Sequence, residues 1–157
     1  MMGVRLHHTS FVIERMLPGS PGHAFRFWSD HALKRLWNSC HPDWTVIEDS
    51  FDFRAGGSET LIWRMPDGTE QSFVAHYLDI VAADRIVYAY AMRVDGAPLS
   101  SSLVTVELTA AGGACRMTFT EQAAFRDERV ADERRSGTGG GFDRLADVLE
   151  QAMATAH

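Results

Sequence analysis

From Trp44 to Phe125 one strand-like stretch follows another, with turn residues between them and no helical run. TVIEDSFDF ends at RAGG, SETLIWRM at PDGT, QSFVAHYLDIV at AADR, RIVYAYAMRV at DGAP, and SSSLVTVELT at AAGG, before ACRMTFTEQAAF closes the series. Asp67-Gly68 is the strongest hairpin signal, because tight turns that match strand twist need positive φ. Strands joined this closely pair with their sequence neighbours, since a parallel crossover needs a longer connection, usually a helix. A parallel βαβ layout is excluded. The spacing predicts an antiparallel meander.

The flanks supply the rest. HTSFVIERML alternates Phe11 and Ile13 with Val12 and Glu14, a half-buried first strand. Pro21 suits the opening of a helix after PGSPG. In GHAFRFWSDHALKRLW, Phe25, Trp28, Ala32, Leu33 and Leu36 recur at nearly helical spacing. That predicts one bent helix or two short ones, the second capped by Ser29 or Asp30. From about Asp127 the tail is helical again, with Phe142, Leu145, Ala146, Leu149, Ala152 and Met153 as its apolar stripe and Arg144 toward solvent. Such a helix buries its stripe only by lying on the sheet. The 157 residues make one α+β domain, 1–157, large enough for a substantial core.

Charge and composition narrow the partners. A net charge of −6 disfavours nucleic acid. The densest basic stretch, RDERVADERR, is interrupted by acids and reads as a solvated helix face. Two cysteines without CxxC spacing predict no disulfide framework and a reducing, cytoplasmic setting. MMGVRLHHTSFVIER turns charged too early for a secretory leader, and no stretch is long enough to insert in a membrane.

Several motifs invite chemistry. SGTGGGFDRLADVLEQA, residues 136–152, has four glycines in its first six positions. A phosphate loop needs a lysine after the last glycine and a dinucleotide loop needs a preceding parallel strand; neither is present. The segment is read as opening the final helix, with Ser136 or Thr138 as its cap and Gly139, Gly140 and Gly141 shaping a pocket entrance. The seven histidines, His157 among them, form no HExxH or helical i, i+4 pair, so no metal is expected, and no cofactor. GxSxG is absent, and Ser100, Ser101 and Ser102 read as the start of an edge or outward-facing strand. Glu121 stands as a lone inward carboxylate suited to proton transfer, but no catalytic residue is assigned. The aromatics are more informative: four tryptophans, with Phe73, Tyr77, Tyr88 and Tyr90 on consecutive strands. They fill a core or wall an apolar pocket.

SFVIERMLPGSPGHAFRFWSD, SFDFRAGGSETLIWRMPDG, DIVAADRIVYAYAM, SSLVTVELTAAGGACRMTFTEQ and GGGFDRLADVLEQ together resemble the successive blocks of the family related to the activator of the heat-shock-protein-90 ATPase, within the START-like, polyketide-cyclase-like superfamily. The likeness runs over roughly residues 9–153, and the FRAGG turn is its most distinctive block. It implies the helix-grip (START-like, Bet v-like) fold: a curved antiparallel sheet of about six to seven strands around a long C-terminal helix, with two short helices closing one end. It places Gly56 and Gly57 on the turn after the second strand, and Ile86 and Val87 on the strand after AADR. Gly141-Phe142 stands where relatives carry Gly-Trp.

Fold does not fix function. The leading expectation is a small hydrophobic or aromatic ligand held between sheet and helix. The binding residues expected are Trp28, Trp63, Phe73, His76, Tyr77, Tyr88, Tyr90, Phe142, Leu145 and Leu149, with Trp28 and Phe142 near the mouth. One alternative is a cyclase- or dehydratase-like enzyme in which Tyr77, His76 or Glu121 moves a proton. Another is a homodimeric interaction or stress-response accessory protein using a sheet edge or the short helices.

Overall fold

A computed structural model describes residues 5–155; His157 and part of the region read for a leader lie outside the described residues. The chain forms β1 (His7–Pro18), α1 (Pro21–Ser29), α2 (His31–Arg35), β2 (Thr45–Phe51), β3 (Ser58–Arg64), β4 (Glu70–Val81), β5 (Arg85–Val94), β6 (Ala97–Ala111), β7 (Ala114–Phe125) and α3 (Glu128–Thr155). All seven strands share one antiparallel sheet in the order β1-β7-β6-β5-β4-β3-β2. The meander pairs in sequence order, and β1 returns beside β7. Phe11, Ile13 and Leu17 of β1 turn inward, opposite Glu121, Phe119 and Cys115. This is the helix-grip arrangement: a curved sheet gripping α3, with α1 and α2 at one end. Among the described residues no helix is long and apolar enough to cross a membrane.

The short helices start where side chains satisfy their free amides. Ser20 accepts from the His23 N–H at 3.1 Å and Asp30 from the Leu33 N–H at 3.0 Å. Their buried faces differ from the expected stripe. Leu36 is 58% exposed, whereas Lys34 is 2% exposed. With only five residues in α2, tertiary partners decide its orientation, and Lys34 finds a carboxylate beneath the sheet's end.

The last helix begins earlier than the glycines suggest. Asp127 caps it, accepting from the Val130 N–H at 2.9 Å, so neither Ser136 nor Thr138 marks its start. Gly137, Gly139, Gly140 and Gly141 lie inside the helix. Each costs about 1 kcal/mol against alanine there. Packing on both sides of the run, by Val130 and Ala131 before it and Phe142, Leu145 and Leu149 after it, carries the helix through.

The FRAGG turn has a steric cause. A Cβ on Gly57 would fall on the Asp52 carbonyl oxygen. Gly56 has a φ of +85° and donates its N–H to the Tyr77 carbonyl at 2.8 Å, while the Tyr77 N–H donates to the Gly57 carbonyl at 3.0 Å. The turn is thereby locked onto β4 beside the bulge between Tyr77 and Asp79.

Candidate functional site

Between the sheet and α3 lies a cavity of about 420 Å³. All four tryptophans line it, which requires contributions from α1, the connection before β2, and β3. Trp28 and Trp37 meet edge to face at 4.9 Å, and Trp44 stacks on Trp63 at 6.3 Å. Phe73 lies 4.9 Å from Tyr90, and Phe119 of β7 meets Phe142 of α3 at the same separation. Asn38, Cys40, His41 and Arg144 also line the cavity, and Arg144 donates to the Trp37 carbonyl at 3.3 Å rather than pointing freely to solvent.

One part of this apolar wall is polar. Glu121 on β7 is fully buried, and its Oε2 accepts from Tyr90 Oη and Ser102 Oγ, both at 2.7 Å. Arg134 of α3 reaches in from above, donating to Tyr90 Oη at 2.7 Å, Ser100 Oγ at 2.8 Å and Glu121 Oε2 at 3.4 Å. Burial, then the neighbouring Glu121 charge, raises the Tyr90 phenol well above its ordinary value, so it stays a proton donor. The helix is glycine-rich where it covers the cavity: Gly137 and Gly141, one turn apart, both line it. A Cβ at Gly137 would meet no atom within 4 Å.

The model of the Activator of Hsp90 ATPase homolog 1-like protein family matches residues 19–154. The chain belongs to that family. An uncharacterized protein from Rhizobium leguminosarum is 39% identical, with a TM-score of 0.86 over 93% of this chain and 97% of its own. Mll3558 from Rhizobium loti is 40% identical, with a TM-score of 0.84 over 90% of this chain and 97% of its own. DynU16, from the dynemicin biosynthetic locus, shares the fold at 17% identity, with a TM-score of 0.71 over 91% of this chain and 48% of its own. No protein of curated function matches the sequence.

In this family member, six of the ten residues expected at the site line the cavity: Trp28, Trp63, Phe73, Tyr88, Tyr90 and Phe142. Trp28 and Phe142 are each 2% exposed and pack against one another, so they lie deep in the wall rather than at a mouth. The other four lie elsewhere. His76 is exposed on the opposite face of β4, as alternation with buried Ala75 and Tyr77 requires. Leu145 and Leu149 are fully buried core residues of α3.

Tyr77 belongs to a second polar cluster. Its hydroxyl donates to Glu59 Oε1 at 2.6 Å, the same oxygen that Lys34 Nζ reaches at 2.6 Å. Arg35 pairs with Glu59 Oε2 at 2.8 Å and bridges to Asp49, which also receives His31. Burial opposes ionisation of Glu59, but the Lys34 charge and these hydrogen bonds outweigh it and hold its carboxyl below the ordinary range. This cluster braces α2 against β3 and β4, outside the cavity.

Arg134, Ser100 and Ser102 are not among the expected site residues. Arg134 sits within RDERVADERR, where only the helix's rotation separates it from its exposed neighbours. Ser100 and Ser102 turn inward instead of outward because they continue the two-residue alternation of buried Val104, Val106 and Leu108, the signal that would have placed them; the bulge between Met92 and Arg93 falls just before Ser100. No group of three or more metal-ligating side chains occurs among the described residues.

The glycines separate stability from site shape. Gly140→Ala, whose added methyl would lie 4.0 Å from the flexible end of Arg144, is expected to gain about 0.5–1 kcal/mol. Gly137→Ala is expected to gain a similar amount while placing its methyl at the cavity. Urea midpoints at unchanged m-value check the gains. A loss of aromatic-probe affinity in Gly137→Ala alone checks the position.

Proposed function

We propose that the chain binds a small molecule with an apolar, aromatic body in the cavity between the sheet and α3. One observation carries this reading: about 420 Å³ of space is walled by aromatic rings, with one fully buried carboxylate, Glu121, held by Tyr90, Ser102 and Arg134. The volume falls within the range of small-ligand sites, about 300–1,000 Å³, and the mixture of apolar wall and few oriented polar groups is their usual composition. Even an apolar cavity of about 150 Å³ takes up benzene, so two or three fused rings fit here.

The cavity tryptophans report occupancy directly. Titration with a neutral bicyclic aromatic is expected to change tryptophan emission saturably, with a negative heat-capacity change from buried apolar surface. Native mass spectrometry of freshly purified protein is expected to reveal a copurifying small molecule. Failure of neutral aromatics of this size to bind, together with an empty mass spectrum, overturns the reading.

The cyclase-like alternative now rests on fewer groups. Of Tyr77, His76 and Glu121, only Glu121 lines the cavity. It is also the group whose second oxygen lacks a protein partner, the position from which a carboxylate accepts a substrate proton.

A further inference from the structure

Three polar atoms on cavity-lining residues are buried without a protein hydrogen-bond partner: Glu121 Oε1, Trp28 Nε1 and Trp63 Nε1. Their neighbours are satisfied. Trp37 Nε1 donates to the Phe27 carbonyl at 2.8 Å, and Tyr90 Oη is engaged by both Glu121 and Arg134. The asymmetry within one carboxylate is the informative part. Oε2 receives Tyr90, Ser102 and Arg134, while Oε1 receives nothing. Buried acceptors are rarely left unmet, because desolvation without a replacement bond is costly.

Charge restricts what meets Oε1. Arg134 already answers the carboxylate, and its NH1 and NH2 groups are spent on Tyr90, Glu121 and Ser100. At Oε1 a ligand carboxylate would set a second negative group beside Glu121 in a dry site, where Arg134 is already engaged and the cavity's other guanidinium, Arg144, is held to the Trp37 carbonyl. A cation would be desolvated against a carboxylate that is already paired. A neutral O–H or N–H completes the set at lower cost. The two indole N–H groups ask for an acceptor on the same ligand.

Building on the ligand-binding reading, we propose that the cavity selects a neutral aromatic molecule bearing a hydroxyl or N–H that donates to Glu121 Oε1, with a ligand oxygen accepting from an indole N–H of Trp63 or Trp28.

Calorimetric titration of the full chain near pH 7 with 2-naphthol, 2-methoxynaphthalene and 2-naphthoate tests this. The three share one ring system and differ in donor and charge. A donated bond to a charged acceptor predicts that naphthol binds about tenfold or more tighter than its methyl ether, with naphthoate weaker than naphthol. In Glu121→Gln the naphthol preference is expected to shrink to about threefold or less; the wild-type series decides the question even where that variant folds poorly. Equal binding of naphthol and its ether overturns the head-group assignment and leaves the cavity reading standing. Tightest binding by naphthoate also overturns it, making a cavity arginine, Arg134 or Arg144, the anchor. Binding by none of the three overturns the head-group assignment, and together with an empty native mass spectrum it overturns the cavity reading as well.

Discussion

Raised above pH 10, the protein is expected to lose stability at roughly 4 kcal/mol per pH unit and to unfold in one step. All three tyrosines are buried: Tyr77 at 2%, Tyr88 at 6% and Tyr90 at 7% exposure. Burial is the main cause that raises each phenol above its unfolded value of 10.0, and negative neighbours add to it, Glu59 for Tyr77 and Glu121 for Tyr90. A group with a raised folded pKa contributes its full stability below the unfolded value. That stability is lost as pH climbs from 10 toward the folded value, because the unfolded chain releases a proton that the native chain keeps. Each phenol then removes about 1.4 kcal/mol per pH unit. Two other buried groups modify the onset. The Cys115 thiol, pushed up from 9.0 by burial, acts in the same direction, while Lys34, pulled below 10.5 by burial, acts in the opposite one. Beyond 10.5 the unfolded lysine is itself neutral and gives no further opposition. With a total stability of about 5–15 kcal/mol, one to about four pH units suffice. Tyrosinate absorbance and loss of β-sheet circular dichroism are expected to rise together. Tyrosinate forming near pH 10 in a chain that keeps its native spectrum overturns the prediction.

The meander was legible because its strands are short, alternating and separated by turn residues, and such strands pair with their neighbours. Pro21, Asp30 and Asp67-Gly68 each act locally, so each could be placed from sequence. What escaped reading was set by events distant in sequence. Lys34 is buried because Glu59, 25 residues away, meets it, while Leu36 is left exposed. Tyr77 and Tyr90 alternate inward alike, yet one serves Glu59 and the other faces the cavity, a division that only the tertiary partners make. His76 is the opposite case: with Tyr77 inward, the two-residue period alone sends it outward. The glycine run in α3 shows how local propensity loses to packing. Four poor helix formers in six positions read as a boundary, yet the stripe on either side holds the helix continuous across them.

Removing the Glu59 carboxylate is expected to be the most damaging single substitution outside the apolar core. In Glu59→Ala the Lys34 ammonium stays buried without its counter-charge, Tyr77 loses its acceptor, and Arg35 keeps only Asp49 as an anionic partner. Breaking a buried ion pair from one side costs about 3–5 kcal/mol, because the remaining charge is neither hydrated nor paired. Lys34→Met on the wild-type chain is expected to cost less, since Glu59 retains Arg35 and Tyr77. The same change placed on Glu59→Ala should raise stability, since it removes the stranded charge and keeps a side chain of similar length. The sign of Lys34→Met thus depends on what stands at position 59, and urea unfolding of the four chains measures it as a double-mutant cycle. Acid gives a second readout. Glu59 has a folded pKa below its unfolded value of 4.5, so its contribution is present above pH 4.5 and is lost as pH falls through the folded value. Glu59→Gln should flatten that part of the acid slope, leaving the part owed to Asp49, held low chiefly by Arg35. Additive effects of the two substitutions, with an acid slope unchanged in Glu59→Gln, would mean that the cluster's charges do not act on one another. None of the cluster's side chains lines the cavity, so a Glu59→Gln chain that remains folded should bind aromatic probes as the wild type does.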